Sequence, residues 1–205
     1  MINKFLKAKH WQLFALLFGL PLLGQVFFMY QIISSTMTEN DPDIGGIFSV
    51  LSVFPILMLI VGGVFYGWIW SISIGLGNSL PEELKINNRW FKTSFFYLIG
   101  YLVLFMLFFM YMFIGIQGSL AVDVDVAPTY FVIIFPLHMI AMVCSFYILY
   151  FAAKVFKTAE FRRSVSFSDF AGEFFLLWFF FIGVWIIQPK VNRLVEEEQE
   201  VEELV

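Results

Sequence analysis

Five stretches of this chain carry no charged residue: 11–38, 44–81, 93–122, 126–153 and 174–189, which are 28, 38, 30, 28 and 16 residues long. A helix rises 1.5 Å per residue, so a bilayer core about 30 Å thick takes roughly 20 residues. Four of the stretches are ample and the fifth is marginal. A 205-residue chain that is 60% hydrophobic and 14% charged has too little polar surface to coat a water-soluble globule. The expected fold is therefore an all-α integral membrane protein, a bundle of five hydrophobic helices in one domain over 1–189, followed by an acidic tail at 190–205. The approximate spans are 11–33, 46–77, 94–116, 129–153 and 167–188.

The same composition excludes other classes. The net charge of −4 leaves no basic face for nucleic acid. The single cysteine, Cys144, sits inside an apolar run, so no internal disulfide can form and a disulfide-rich secreted scaffold is excluded. Lys4, Lys7 and Lys9 ahead of an apolar run imitate a secretion signal. The stretch 11–33 is too long for one, however, and no small-x-small cleavage site precedes the polar loop, so it reads as the first span, with Pro21 and Gly24 as kink points.

Orientation follows from loop charge. Loop 34–44 carries Glu39, Asp41 and Asp43, and loop 117–128 carries Asp123 and Asp125, with no lysine or arginine in either. Ten of the twelve basic residues fall in the N-terminal segment, the second loop (Lys85, Arg89, Lys92) and the fourth (Lys154, Lys157, Arg162, Arg163). By the positive-inside rule that side, with the N terminus, is cytoplasmic. The external acids match no calcium-loop spacing and read as solvated loops.

The fifth segment admits two readings. A helix begun at Phe167, after a Ser166/Asp169 start signal, reaches Gln188 in 22 residues and could cross, and this is the favoured reading. The alternative is four spans plus a re-entrant or interfacial fifth helix, broken near Gly183, which returns the tail to the cytoplasm.

Helices in lipid associate by close backbone approach and polar contacts. Gly63, Gly67, Ser71, Gly75 and Ser79 recur every four residues along the second span, a smooth stripe read as a packing seam. Its partner is a helix of the same chain or, alternatively, a second copy or another subunit. The segment 47–77 is long enough that it must tilt, kink at Pro55 or project. Trp11, Trp68, Trp70 and Trp90 fall near the cytoplasmic ends of their spans and read as headgroup anchors.

Ionisable groups at membrane depth are functional candidates. His138 lies about nine residues into the fourth span and shares a face with Ala141, Met142, Ser145 and Ala152, so His138 and Ser145 form a candidate buried polar site facing the bundle interior. Arg162, Arg163, Asp169 and Glu173, with Glu160, Gln188 and Asn192 nearby, form a candidate membrane-surface charge cluster. Asp169 and Glu173 share a helix face and are expected to pair with the arginines. Only His10 accompanies His138, so no haem is expected, and no metal or other cofactor either. The six glutamates after Val195 read as a solvated helical tail. Nucleotide loops, zinc motifs, nucleophile elbows and channel filters are absent from the sequence.

The stretch VSFSDFAGEFFLLWFFFIGVWIIQPKVN, from Val165 to Asn192 and preceded by YFAAKVFKTAE, resembles a tail shared by small uncharacterised bacterial multi-pass inner-membrane proteins. The resemblance implies inner-membrane residence and brings no activity. Similar tails often read FPIG where this one has Phe181, Ile182 and Gly183, and the missing proline favours an unbroken fifth helix. The expected function is a non-enzymatic accessory or scaffold subunit embedded in the lipid bilayer, in homo- or hetero-oligomers through the small-residue face of the second span. The alternative is a small transporter or channel with His138 on its pathway.

Overall fold

The computed structural model describes residues 2–38, 53–117 and 126–203; the acidic loop residues Glu39, Asp41, Asp43, Asp123 and Asp125 lie outside them. Among the described residues all regular structure is helical. Helix α1, Ile2–Leu6, is little more than one turn. Helix α2 begins as His10–Phe14, widens through a π-helical turn at Ala15–Gly19 and continues as Leu20–Thr38. Helix α3, Phe54–Trp70, is prolonged by a π-helical segment, Ser71–Leu76. A 3₁₀ turn, Glu82–Leu84, precedes α4, Arg89–Gln117. Then come α5, Val126–Phe161, α6, Phe167–Trp178, and α7, Phe180–Glu203.

Among the described residues four helices are long and apolar enough to cross a bilayer: His10–Ser34, Phe54–Leu76, Arg89–Tyr111 and Val132–Phe161. Two of their prolines are placed where the backbone tolerates them, whereas Pro136 stands inside α5. Pro21 lacks an N–H and its ring would crowd the Leu17 carbonyl in a regular helix. The π turn just before it, where the Leu20 N–H donates to the Ala15 carbonyl, absorbs that misfit. Pro55 stands in the first turn of α3, where a missing N–H costs nothing. A helix start therefore replaces the kink expected there.

The fifth apolar segment does not run as one helix from 167 to 188. It is a hairpin of α6 and α7 closed at Phe179, whose φ of −87° and ψ of 59° leave the helical region. The N–H groups of Ile182 and Gly183 both donate to the Phe179 carbonyl at 2.9 Å, which starts α7 in a new direction. The two helices then lie side by side so closely that a Cβ on Gly183 would sit 1.8 Å from the Leu176 carbonyl oxygen. With 12 residues, α6 is about 18 Å long, too short to cross. The expectation of an unbroken helix, based on the absent proline, is thus overturned. Close backbone packing at Gly183 fixes the turn without it.

Among the described residues, burial is concentrated at one end of the bundle. In α2 it stops at Leu17 and in α4 at Leu98; in α5 it begins only at Ala141 and in α3, Pro55 apart, at Gly67. Trp68, Phe91, Phe156 and Phe170 are the largest side chains in this core. The tail of α7 belongs to the same end, because Val195 and Gln199 share a cleft with Ile2, Asn3 and Leu6 of α1 and with Asn78 and Ser79 after α3.

Candidate functional site

The packed end is organised around two polar constellations on α7. The first secures the N-terminal turn. A helix as short as α1 leaves nearly all its carbonyls without intrahelical partners. Gln188 of α7, fully buried, supplies donors: its Nε2 donates to the carbonyls of Phe5 (3.0 Å), Leu6 (3.2 Å) and Ala8 (2.8 Å). Asn192, one turn later, donates from Nδ2 to Leu6 (2.6 Å) and Ala8 (3.2 Å). The Trp68 indole N–H of α3 donates to Gln188 Oε1 at 2.7 Å, which fixes the amide's orientation. Trp68 is therefore a buried hydrogen-bond donor, not a headgroup anchor; Trp11 and Trp90 are exposed.

The second constellation is ionic and joins α5, α6 and the α7 arm. Lys157 Nζ lies 2.7 Å from Glu160 Oε2 and 2.7 Å from Glu173 Oε1, and Lys190 Nζ lies 3.4 Å from Glu160 Oε1 and 3.8 Å from Glu173 Oε1. Lys157 and Glu173 are buried, at 9% and 8% exposure. Two ammonium groups thus neutralise two carboxylates where water is scarce, and Lys157 also lies over the Phe161 ring. Desolvated ions persist only when paired in this way. The sequence placed Glu173 beside arginines, but its partners are lysines. Lys157 had been counted as a loop charge, whereas α5 runs on to Phe161 and carries it inward.

Asp169 is held apart from Glu173. Its Oδ2 accepts hydrogen bonds from the Ser166 N–H (2.8 Å) and hydroxyl (2.9 Å), and its Oδ1 accepts one from Arg163 Nη2 (3.2 Å). The Ser166 backbone bond, then its hydroxyl, then Arg163 hold this carboxyl below the ordinary aspartate range. Arg162 takes part in none of the ion pairs among the described residues. It ends α5 with a left-handed φ of 52°, the conformation that reverses the chain toward α6.

The small-residue seam is occupied from within the chain. A Cβ on Gly67 would meet the Phe5 ring at 2.9 Å, and one on Gly75 would meet Leu6 at 2.7 Å and Ile2 at 2.9 Å. Between them the Ser71 hydroxyl donates to the Gly67 carbonyl at 2.7 Å, which keeps its surface smooth. Helix α1 thus lies in the groove that these residues make. Gly63 faces open space.

His138 departs from expectation. Its side chain is exposed, outside the packed core, and its Nδ1 lies 2.8 Å from the Tyr101 hydroxyl of α4. One residue away, the Leu137 carbonyl accepts from the Tyr97 hydroxyl at 3.0 Å. The face carrying Ala141 turns to the core, while His138, two residues after Pro136 inside the same helix, stays exposed. Ser145, seven positions further along α5, is separate and half-buried.

Sequence reasoning thus missed Lys157 and Lys190 as ion-pair partners, Trp68 as the partner of Gln188, and Tyr101. Among the described residues no group of three or more His, Cys, Asp or Glu side chains could hold a metal ion. The site and fold define a helical, membrane-type protein. No family model, curated protein or solved structure matches the chain.

Proposed function

We propose that this protein is a non-enzymatic component of the bacterial inner membrane, an accessory or scaffold subunit. Four helices span, the α6–α7 hairpin dips in and returns, and both termini are cytoplasmic. That topology collects all twelve basic residues on the cytoplasmic side, in keeping with the positive-inside rule.

The observation that carries the scaffold reading is the division of burial. The distal halves of α2, α4 and α5 present large apolar side chains outward, among them Leu23, Leu107 and Val132, each more than half exposed. In a bilayer such surfaces gain nothing from burial as such, but they are free to pack against another membrane helix. The exposed position of His138 favours this reading over a transport path through the bundle.

A photo-crosslinking residue at Leu23 or Leu107 in native membranes is expected to give a discrete protein adduct, and one at Phe96, exposed at the packed end, is expected to give lipid adducts alone. Lipid adducts at all three positions would overturn the scaffold reading. A cysteine at Gln199 is expected to label only from the cytoplasmic side; labelling from outside would overturn the topology.

A further inference from the structure

We infer that the cleft between the α1–α2 junction and the α7 tail is a binding site for an ethanolamine phospholipid headgroup. The cleft encloses about 400 Å3 and is lined by Lys7, Lys9, Asn192, Val195, Glu196 and Gln199. Its shape follows from the amide clamp. Gln188 and Asn192 hold the Leu6 and Ala8 carbonyls, so the chain between α1 and α2 is fixed, and Lys9 takes an extended backbone with φ −78° and ψ 145°. The two lysines that flank Ala8 are thereby presented together, opposite the α7 face formed by Asn192, Glu196 and Gln199.

Lys7, Lys9 and Glu196 are exposed and take part in none of the ion pairs among the described residues. The cleft therefore offers two ammonium donors and one carboxylate acceptor a few residues apart, with two amides beside them. A phosphodiester carrying a primary ammonium matches that set: the phosphate takes the lysines and the ammonium donates to Glu196. A choline headgroup has no N–H to give Glu196. A glycerol headgroup leaves the carboxylate without a cation, and the glutamates that follow it repel further negative charge.

Location fits the ligand. Lys9 immediately precedes the span His10–Ser34, and Trp11, half exposed in its first turn, marks headgroup depth. The inference requires only that this end lie at a leaflet surface, and it is independent of the scaffold role.

The test is native mass spectrometry of the full chain in mild detergent doped with equimolar phosphatidylethanolamine, phosphatidylglycerol and phosphatidylcholine. Phosphatidylethanolamine is expected as the dominant adduct. Lys7→Gln with Lys9→Gln should lower its occupancy, by about fivefold for each lysine. Lys4→Gln, outside the cleft, should leave it unchanged, and Glu196→Gln should erase the preference over phosphatidylcholine. Should the double lysine variant fail to fold, Lys7→Arg with Lys9→Arg must retain binding, and Glu196→Gln alone then carries the test. Equal occupancy by all three lipids, a preference for phosphatidylglycerol, or discrimination that survives Glu196→Gln would overturn the assignment. Displacement of the lipid by soluble glycerophosphoethanolamine at equal concentration would instead assign the cleft to a water-soluble phosphoester.

Discussion

The two halves of this bundle are built on different principles. At the end that carries α1, α6 and α7, side chains interlock around Trp68, Phe91 and Phe156, and two polar groups within gather several partners, Gln188 four and Lys157 two carboxylates, while the buried Ser73 hydroxyl has none. At the other end, among the described residues, Pro55 alone is buried, and α4 and α5 are linked by the polar contacts of Tyr97 and Tyr101. Lipid supplies no hydrophobic drive between helices, so a tight interface needs small residues and satisfied polar groups. The packed end has Gly67, Gly75, Gly183 and the amide clamp; the open end has large aliphatic and aromatic side chains that lipid solvates as well as protein does. The difference teaches that apolar content suits a helix to the membrane, while glycines and amides decide where helices of this chain lock together, which leaves the large apolar faces of the open end available to lipid or to a partner.

The sharpest way to break this contrast is at Gly183. Gly183→Ala should cost about 4 kcal/mol or more, because the new methyl overlaps a backbone carbonyl that no rotamer change can move. Phe181→Pro, in the first turn of α7, should leave stability within about 1 kcal/mol. In one continuous helix that proline would instead cost about 3 kcal/mol, so unfolding titrations of the pair distinguish hairpin from single helix.

Next in size is Gln188→Leu. It strands the Trp68 N–H, takes one donor from the Phe5 carbonyl and leaves the Leu6 and Ala8 carbonyls to Asn192 alone, a loss of roughly 3 kcal/mol even with some water entering. Hydrogen exchange should locate that loss in α1 and α3; a uniform change across the bundle would argue against the clamp.

Glu173→Gln removes one carboxylate while Glu160 still faces both lysines, and should cost about 2 kcal/mol. The capping carboxylate of Asp169 behaves differently with pH. Because its folded pKa is lowered, the stability it contributes is present at neutral pH and is lost as pH falls through that lowered value, below the ordinary 3.8. Amide protection in the first turn of α6 should therefore persist through mildly acidic pH and fade only beneath it, and Asp169→Asn should abolish the transition.

The smallest effects belong to the open end. His138→Ala should cost about 0.6 kcal/mol, the typical worth of a hydrogen bond between membrane helices, and Leu107→Ala less than about 0.5 kcal/mol. A larger loss at either position would show that the distal half packs more tightly than its exposure indicates.

Much of this arrangement is legible in the residues. The four spans follow from charge-free length, the start of α6 from Ser166 and Asp169, and the seam from the spacing of Gly67, Ser71 and Gly75. What was hidden depends on distant partners. Trp68 and Gln188 are 120 positions apart, and either one alone reads as interfacial. Lys157 looks like a loop charge until Glu173 approaches it from α6, and Lys190 of α7 shares its two carboxylates. The break at Phe179 has no proline or glycine at the turn itself; its cause is the contact of Gly183 with Leu176 across the hairpin. His138 was placed inside because depth along the helix was legible and rotation about its axis was not.

The amide clamp also has a consequence for biosynthesis. Gln188 and Asn192 follow Leu6 by 182 and 186 positions, yet they supply hydrogen-bond donors to its carbonyl. Until α7 has been made, the carbonyls of α1 lack these donors, so a nascent chain stopped short of α7 leaves that turn unclamped.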